Sequence, residues 1–104
     1  MIVEVLFFDE CRSYERLLPR LREIVAEAGG DPDQIVLRRI ENVDDALEHR
    51  FLGSPTVRVD GRDVDPTAAD RGDFGLKCRL YRDERGQWPL PPEQWIRRAL
   101  QPDS

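Results

Sequence analysis

Cys11 and Cys78 are the two residues of this chain most able to carry out covalent chemistry. Cys11 lies where an apolar run gives way to an amphipathic pattern typical of a helix. The N-terminus of a helix favours the thiolate form of a nearby cysteine. Two nearby arginines, Arg12 and Arg16, add to this effect. Three nearby carboxylates oppose it: Asp9, Glu10 and Glu15. The pattern favours a reactive thiol, and the alternative is a half-buried cysteine without chemistry.

Cys78 is the only other sulfur able to react with Cys11. If its strand packs near the start of the first helix, the two cysteines can form a disulfide or hold a soft metal ion such as Hg(II) or Cu(I). A disulfide requires Cα atoms within about 7 Å of each other. The alternative is that Cys78 is a small apolar side chain on a strand.

The other potential metal ligands do not form a recognisable site. His49 and the two cysteines show none of the usual zinc-ligand spacings, so we expect no resident metal and no cofactor. Asp60, Asp63 and Asp65 lack the glutamate and the spacing of a calcium loop, and we expect them to be solvated.

Composition limits the class of protein. A length of 104 residues, 39% of them hydrophobic, predicts one domain spanning residues 1–104. The net charge of −5, with arginines interleaved among acidic residues, argues against a nucleic-acid partner. The apolar start, residues 1–8, is too short for a secretory signal or a membrane span. We therefore expect a cytoplasmic protein without a membrane partner, in which cysteines are more often thiols or redox-active than structural bridges.

The first half of the chain alternates strand and helix patterns. Residues 2–8 are apolar and β-branched, as in a strand buried on both faces. Ser13 is expected to cap the following helix, unless Cys11 already lies in its first turn. Pro19 lies inside this helix and is expected to kink it, and the helix ends at Gly29-Gly30. Its apolar face is Leu17, Leu21, Ile24, Val25 and Ala28.

The remainder predicts a second strand and helix, then a hairpin. Residues 35–40 form a strand, and residues 41–52 a helix with Val43, Leu47 and Phe51 turned inward. Asp60-Gly61 is a strong hairpin turn between residues 56–59 and 62–65. A loop, a strand and a turn follow at residues 66–75, 76–82 and 83–86, and the last helix is predicted at residues 93–100, with Trp95, Ile96, Ala99 and Leu100 buried.

This order, β-α-β-α-β-β-α, predicts an α/β fold with a central mixed sheet flanked by helices. Residues 66–90 are an extra loop and strand segment. The strand-helix-strand spacing favours parallel pairing with a right-handed crossover.

Two local motifs resemble the thioredoxin-like fold superfamily. Pro19 follows Cys11 by eight residues within the same helical pattern, and Gly53-Ser54-Pro55-Thr56 directly precedes the predicted hairpin. The chain is also similar to small bacterial thioredoxin-like proteins, some labelled organomercurial-lyase-like, that carry a block like residues 51–61 and a later Cys-Arg-x-Tyr. The resemblance implies a cis Pro55 and a substrate groove formed by Arg12, Ser13, Tyr14, Ser54 and Pro55. In this family the backbone before the cis-proline is free to bind an extended peptide.

The chain departs from the family pattern at Tyr14, which replaces the second cysteine of Cys-x-x-Cys. Tyr14 either donates its hydroxyl to a thiolate or ligand, or only covers the core. A local dithiol cycle is absent, so the leading hypothesis is single-thiol exchange through Cys11, with Cys78 as resolving partner. The partner would then be a small thiol, or a protein that carries a thiol or disulfide.

The competing hypothesis is a non-enzymatic binding protein. It is either a thiol-based binder of Hg or Cu, or a partner-binding scaffold that has lost redox activity. The residues leave open whether the chain is an enzyme and do not predict an oligomeric state.

Overall fold

A computed structural model describes residues 1–101, so residues 102–104 of the expected domain lie outside the described part. The chain forms three helices and six strands within that range, in a mixed α/β arrangement. In chain order they are β1 (Val3–Phe7), α1 (Tyr14–Glu27), β2 (Val36–Arg39), α2 (Val43–Glu48), β3 (Thr56–Val59), β4 (Arg62–Asp63), β5 (Tyr81–Asp83), β6 (Gly86–Trp88) and α3 (Glu93–Leu100). Short 3-10 helices lie at Pro32–Gln34 and Ala68–Asp70.

The central sheet has four strands in the order β2-β1-β3-β4. β1 runs parallel to β2 and antiparallel to β3, so the sheet is mixed, as predicted. The β3–β4 hairpin turns at Asp60 and Gly61, whose φ angles are 51° and 83°. Positive φ at both central residues matches the right-handed twist of the flanking strands, which explains the Asp-Gly pair. β5 and β6 form a separate two-stranded sheet.

Helices cover both faces of the central sheet. Val5 packs in a cluster with residues of α1 and α3, whereas its neighbour Leu6 packs in a second cluster with Ala46 of α2. Successive strand residues point to opposite faces, so β1 is buried on both sides, as its apolar run predicts. The loop that carries Cys11 follows β1 directly, so it begins at the end of a strand that is covered on both faces.

The predicted inward face of the second helix is wrong for Val43 and Leu47 and confirmed for Phe51. Val43 and Leu47 are 58% and 54% exposed, whereas Ala46 and Phe51 are fully buried. The small side chain of Ala46 lets α2 pack closely on the sheet, and Phe51, beyond the end of the helix, fills the space beside it. Ala28, also predicted to be buried, is exposed because α1 ends at Glu27.

The predicted strand at residues 76–82 is wrong for most of its length. Regular pairing begins at Tyr81, in the hairpin of β5 with β6. Upstream of it, Cys78 makes one isolated parallel bridge, to Ser54. The predicted turn at residues 83–86 and the last helix at residues 93–100 are confirmed. No helix within residues 1–101 is long and apolar enough to cross a lipid bilayer.

Candidate functional site

Cys11 lies in a tight loop between β1 and α1. Its N–H donates to the Phe8 carbonyl at 3.2 Å, and α1 begins only at Tyr14, with Ser13 at the N-cap position. Ser13 therefore occupies the predicted cap position, although its side chain makes no capping hydrogen bond, and the alternative that Cys11 lies in the first turn is wrong. Cys11 is 3% exposed and belongs to the cluster around Leu6 and Phe51. The effect of the helix N-terminus weakens quickly beyond the first turn, so burial influences the reactivity of the Cys11 sulfur more than the helix does.

Cys11 and Cys78 are joined by a disulfide. The S–S distance is 2.10 Å and the Cα atoms lie 5.6 Å apart, within the range that a disulfide can span. Of the roles considered for Cys78, disulfide formation with Cys11 is therefore the one observed. The bond joins residues that are 67 positions apart in the sequence. The two partners differ in accessibility, because Cys11 is buried and Cys78 is exposed.

Ser54 packs directly against Cys11, as the resemblance implies. The Ser54 hydroxyl donates to the Cys11 carbonyl at 3.2 Å, and the Ser54 carbonyl oxygen lies 3.6 Å from Cys11 Sγ. Ser13 Oγ lies 3.8 Å from the same sulfur. The Ser54–Pro55 peptide bond is cis, as predicted.

The backbone of Ser54 is not free, which corrects the expectation of an open peptide-binding edge. The Ser54 N–H donates to the Lys77 carbonyl at 2.8 Å, and the Ser54 carbonyl accepts from the Arg79 N–H at 2.9 Å. Residues 77–79 of the chain thus occupy both backbone groups beside Pro55. In the disulfide-bonded state this edge cannot pair with another strand.

Gly53 allows this close approach. A Cβ atom at Gly53 would lie 2.9 Å from the Arg79 Cβ and 3.0 Å from the Lys77 carbonyl oxygen, and the Gly53 φ angle is 125°. Both the contact and the backbone conformation exclude larger residues.

A buried ion-pair network fixes the residue after Cys78. The Arg79 side chain is fully buried and donates to Asp63 at 2.7 Å and to Asp65 at 3.2 Å. These carboxylates are 12% and 7% exposed, so the expectation that they are solvated is wrong. The Tyr81 ring lies under the Arg79 guanidinium at 4.4 Å, and the Tyr81 hydroxyl donates to the Pro55 carbonyl. Burial raises the pKa of Tyr81, so this hydroxyl keeps its proton.

Two residues of the predicted groove point to other partners. Arg12 pairs with Glu15 at 3.1 Å, and its side chain is 73% exposed. Tyr14 stacks on Phe7 with ring centroids 4.1 Å apart and packs against the core, which is the covering role considered for it. Ser13 and Ser54 are therefore the members of the groove that approach the Cys11 sulfur.

A cleft of about 430 Å³ lies beside Cys78. Cys78 lines this cleft, whereas Cys11 does not. Four cationic residues also line it: Arg71, Lys77, Arg79 and Arg82. Asp73 pairs with Arg71 and with Lys77, each at 2.7 Å, and these bonds hold the pKa of Asp73 well below its usual range. Sequence reasoning missed this basic cleft, although four of the twelve residues from 71 to 82 are cationic.

Another polar cluster lies on α2 and contains neither cysteine. Ligand atoms of Asp45, Glu48 and His49 lie within 4.8 Å of one another. The Asp45 carboxylate already accepts a hydrogen bond from the Glu41 N–H at 3.0 Å. This contact at the start of α2 explains the position of the Asp45 side chain.

Comparison of this chain with protein-family models, curated proteins and solved structures found no match.

Proposed function

We propose that this chain is a thioredoxin-like domain that carries out thiol–disulfide exchange through the non-adjacent pair Cys11 and Cys78. The observation that carries the proposal is the disulfide between the strand–helix junction and the segment of residues 66–90. The thioredoxin-like assignment is supported by the element order, by Pro19 inside α1 and by the cis bond before Pro55.

The non-adjacent pair supplies the second sulfur that the Cys-x-x-Tyr sequence lacks. In the reducing direction, a thiolate of the pair attacks a substrate disulfide, forms a mixed disulfide with one substrate sulfur and releases the other as a thiolate. The thiolate of the second cysteine then attacks the sulfur of the first, which releases the remaining substrate sulfur as a thiolate and leaves the Cys11–Cys78 bond. In the order expected from the sequence, Cys11 attacks and Cys78 resolves. The oxidised pair is the product of this cycle, and two external thiols regenerate the dithiol.

A cytosolic location is part of this proposal. The cytosolic thiol pool keeps accessible disulfides largely reduced, and disulfides found there are usually transient and catalytic or redox-sensing. An exchangeable Cys11–Cys78 bond fits that compartment because one of its two residues is exposed.

A second candidate function is the binding of a soft metal by the reduced pair. The 5.6 Å between the Cα atoms brings two thiols close enough to share one ion. Thiolates select Hg(II) and Cu(I), so the reduced chain would bind one such ion and the oxidised chain none.

The reduction of insulin by dithiothreitol tests the exchange function. We expect the chain to accelerate this reaction, and both Cys11→Ser and Cys78→Ser to abolish the acceleration, because each removes one of the two sulfurs. Arg22→Gln, an exposed change on α1, is the matched control and should keep wild-type activity. Insulin reduction that is no faster with the wild-type chain than with a variant carrying both Cys11→Ser and Cys78→Ser would contradict the proposal. Stoichiometric Hg(II) binding by the reduced chain without acceleration would instead favour the metal function.

A further inference from the structure

We infer that Cys78, not Cys11, is the sulfur that meets the external thiol, and that the cleft beside it selects small thiols that carry a carboxylate. This inference rests on the proposed exchange function and specifies its reacting sulfur and substrate class. It reverses the order expected from the sequence.

Access decides which sulfur reacts. A thiolate attacks a disulfide in line with the S–S bond, from the side of the sulfur to which it bonds, and the rate depends on which sulfur can be reached. Cys11 is 3% exposed, packed among apolar side chains, with Ser13 and Ser54 against its sulfur. Cys78 is exposed and lines the cleft of about 430 Å³. Only the Cys78 side of the bond therefore offers a path from solvent, through a cleft of the size that small ligands use.

Charge decides which thiols enter. The cleft is lined by four cations and one carboxylate, Asp65. With the ion-pair partners Asp63 and Asp73 included, the region carries four positive and three negative charges, although the whole chain carries a net −5. A thiol with a carboxylate is therefore attracted to this cleft and repelled by most of the remaining surface.

Arg82 is the residue best placed to hold the carboxylate. It is exposed and lines the cleft, and its Nη2 and Nε donate to the side-chain oxygen of Gln87 at 2.5 and 3.3 Å, which holds the guanidinium in place. Within residues 1–101 no carboxylate pairs with Arg82, whereas Arg71 and Lys77 share Asp73, and Arg79 pairs with Asp63 and Asp65. A guanidinium can bind a carboxylate through two parallel hydrogen bonds, which also orients the thiol.

The external thiolate bonds to Cys78 Sγ, the Cys11–Cys78 bond breaks, and Cys11 leaves as a thiolate, beside the Ser13 hydroxyl. A second thiolate attacks the external sulfur of the mixed disulfide and releases Cys78 as a thiolate. Overall, two external thiols are oxidised to one disulfide, the protein disulfide is reduced to two thiols, and two protons pass to the cysteines.

A series of thiols of different charge tests the substrate class. The rates of reduction of the oxidised chain by 3-mercaptopropionate, 2-mercaptoethanol and cysteamine are each divided by the rate of the same thiol with a small neutral disulfide, which corrects for the thiolate fraction and for the intrinsic nucleophilicity of each thiolate. We expect the anionic thiol to exceed the cationic one by about tenfold at low ionic strength, and the ratio to approach one in 1 M salt, where the Debye length is about 3 Å. Arg82→Gln should reduce the ratio, and Arg85→Gln, on the same hairpin but outside the cleft lining, should not.

Mapping the mixed disulfide tests the reacting sulfur. The reaction with 3-mercaptopropionate is quenched with acid, free thiols are alkylated, and the adduct is located by mass spectrometry. We expect the adduct on Cys78 and the alkyl group on Cys11. Should no adduct accumulate, 3,3′-dithiodipropionate is added to reduced Cys11→Ser and Cys78→Ser, and the thiol at position 78 should react faster than the thiol at position 11.

The outcomes separate the two levels of the proposal. An adduct on Cys11, or a rate ratio that does not depend on charge, overturns the inference and leaves the exchange function standing. A bond that none of the three thiols reduces overturns the exchange function itself.

Discussion

Ser54 pairs with Cys78 in an isolated parallel bridge, and the Ser54 hydroxyl holds the carbonyl of Cys11, to which Cys78 is disulfide-bonded. One fully buried serine thus contacts both halves of the disulfide. Three interactions hold residues 77–79 on the sheet: the disulfide, the backbone bridge and the buried Arg79 network. Each of these interactions gives a separate prediction.

Loss of the disulfide should destabilise the chain strongly. Closure of a loop across a sequence separation of 67 is worth about 4 kcal/mol in the chain-entropy model. We therefore expect Cys78→Ser to lower the free energy of unfolding by about that amount in urea under oxidising conditions. Dithiothreitol should lower the stability of the wild type to that of the variant and leave the variant unchanged. A variant as stable as the oxidised wild type would count against a constraining bond.

Loss of Arg79 should be costly because it leaves two buried carboxylates unpaired. We expect Arg79→Met to reduce the free energy of unfolding by about 3–5 kcal/mol, measured in urea. Arg82→Met is the matched control: it removes an exposed arginine on the same segment, and we expect less than about 0.5 kcal/mol. Asp63→Asn and Asp65→Asn, added to Arg79→Met, should recover part of the loss. Equal effects of the two arginine variants would refute the buried network.

Gly53→Ala should push residues 77–79 away from Ser54. The new Cβ would lie 2.9 Å from the Arg79 Cβ, on a backbone with a φ angle of 125°. Backbone strain of this kind costs about 1–3 kcal/mol. Thermal unfolding should show this loss for Gly53→Ala, and the Arg79 amide should exchange faster with solvent. Gly72→Ala, with open space around it and no positive φ, is the control and should be neutral in both measurements.

The ion pairs of Asp73 should contribute stability that depends on pH. Hydrogen bonds from Arg71, and then from Lys77, lower the pKa of Asp73 in the folded state. A carboxylate with a lowered pKa stabilises the fold above its unfolded pKa of about 3.9, and this contribution disappears as the pH falls through the lower, folded pKa. We expect wild type to exceed Asp73→Asn by up to about 1 kcal/mol at pH 7, as is usual for exposed pairs.

The advantage over Asp73→Asn should decrease below about pH 4 and also in 1 M salt. Asp70→Asn, which removes another exposed carboxylate of the same loop, is the control for the loss of one negative charge. A constant difference from pH 7 to pH 2 would contradict the assignment.

Local patterns predicted most of the fold. The apolar run of β1, the helical spacing of Leu17 to Val25 and the Asp60-Gly61 turn each specify their element within a few residues, and all three are confirmed. The second helix misled the prediction, because Val43 and Leu47 have helical spacing but face solvent. Periodicity shows which residues share a face, but not whether a small residue such as Ala46 allows a different face to pack.

The site was predictable only in part. Cys11, Ser54 and Pro55 belong to local motifs, and the structure brings them together. The partner segment has no such signature, because a single bridge from Cys78 to Ser54 leaves no repeating pattern. Burial of Asp63 and Asp65 likewise depends on Arg79, which is distant in sequence, so their charges alone suggested exposure.

The most direct test of the account is a redox titration of the Cys11–Cys78 bond. The chain is equilibrated with mixtures of reduced and oxidised dithiothreitol, and the free thiols are counted by alkylation and mass spectrometry. Structural disulfides have potentials below about −300 mV, whereas exchangeable ones lie higher. We predict a midpoint above −300 mV, with both thiols appearing together, as a redox pair requires. A bond that remains closed below −300 mV, or that opens only as the fold is lost, would identify a structural crosslink and contradict the account.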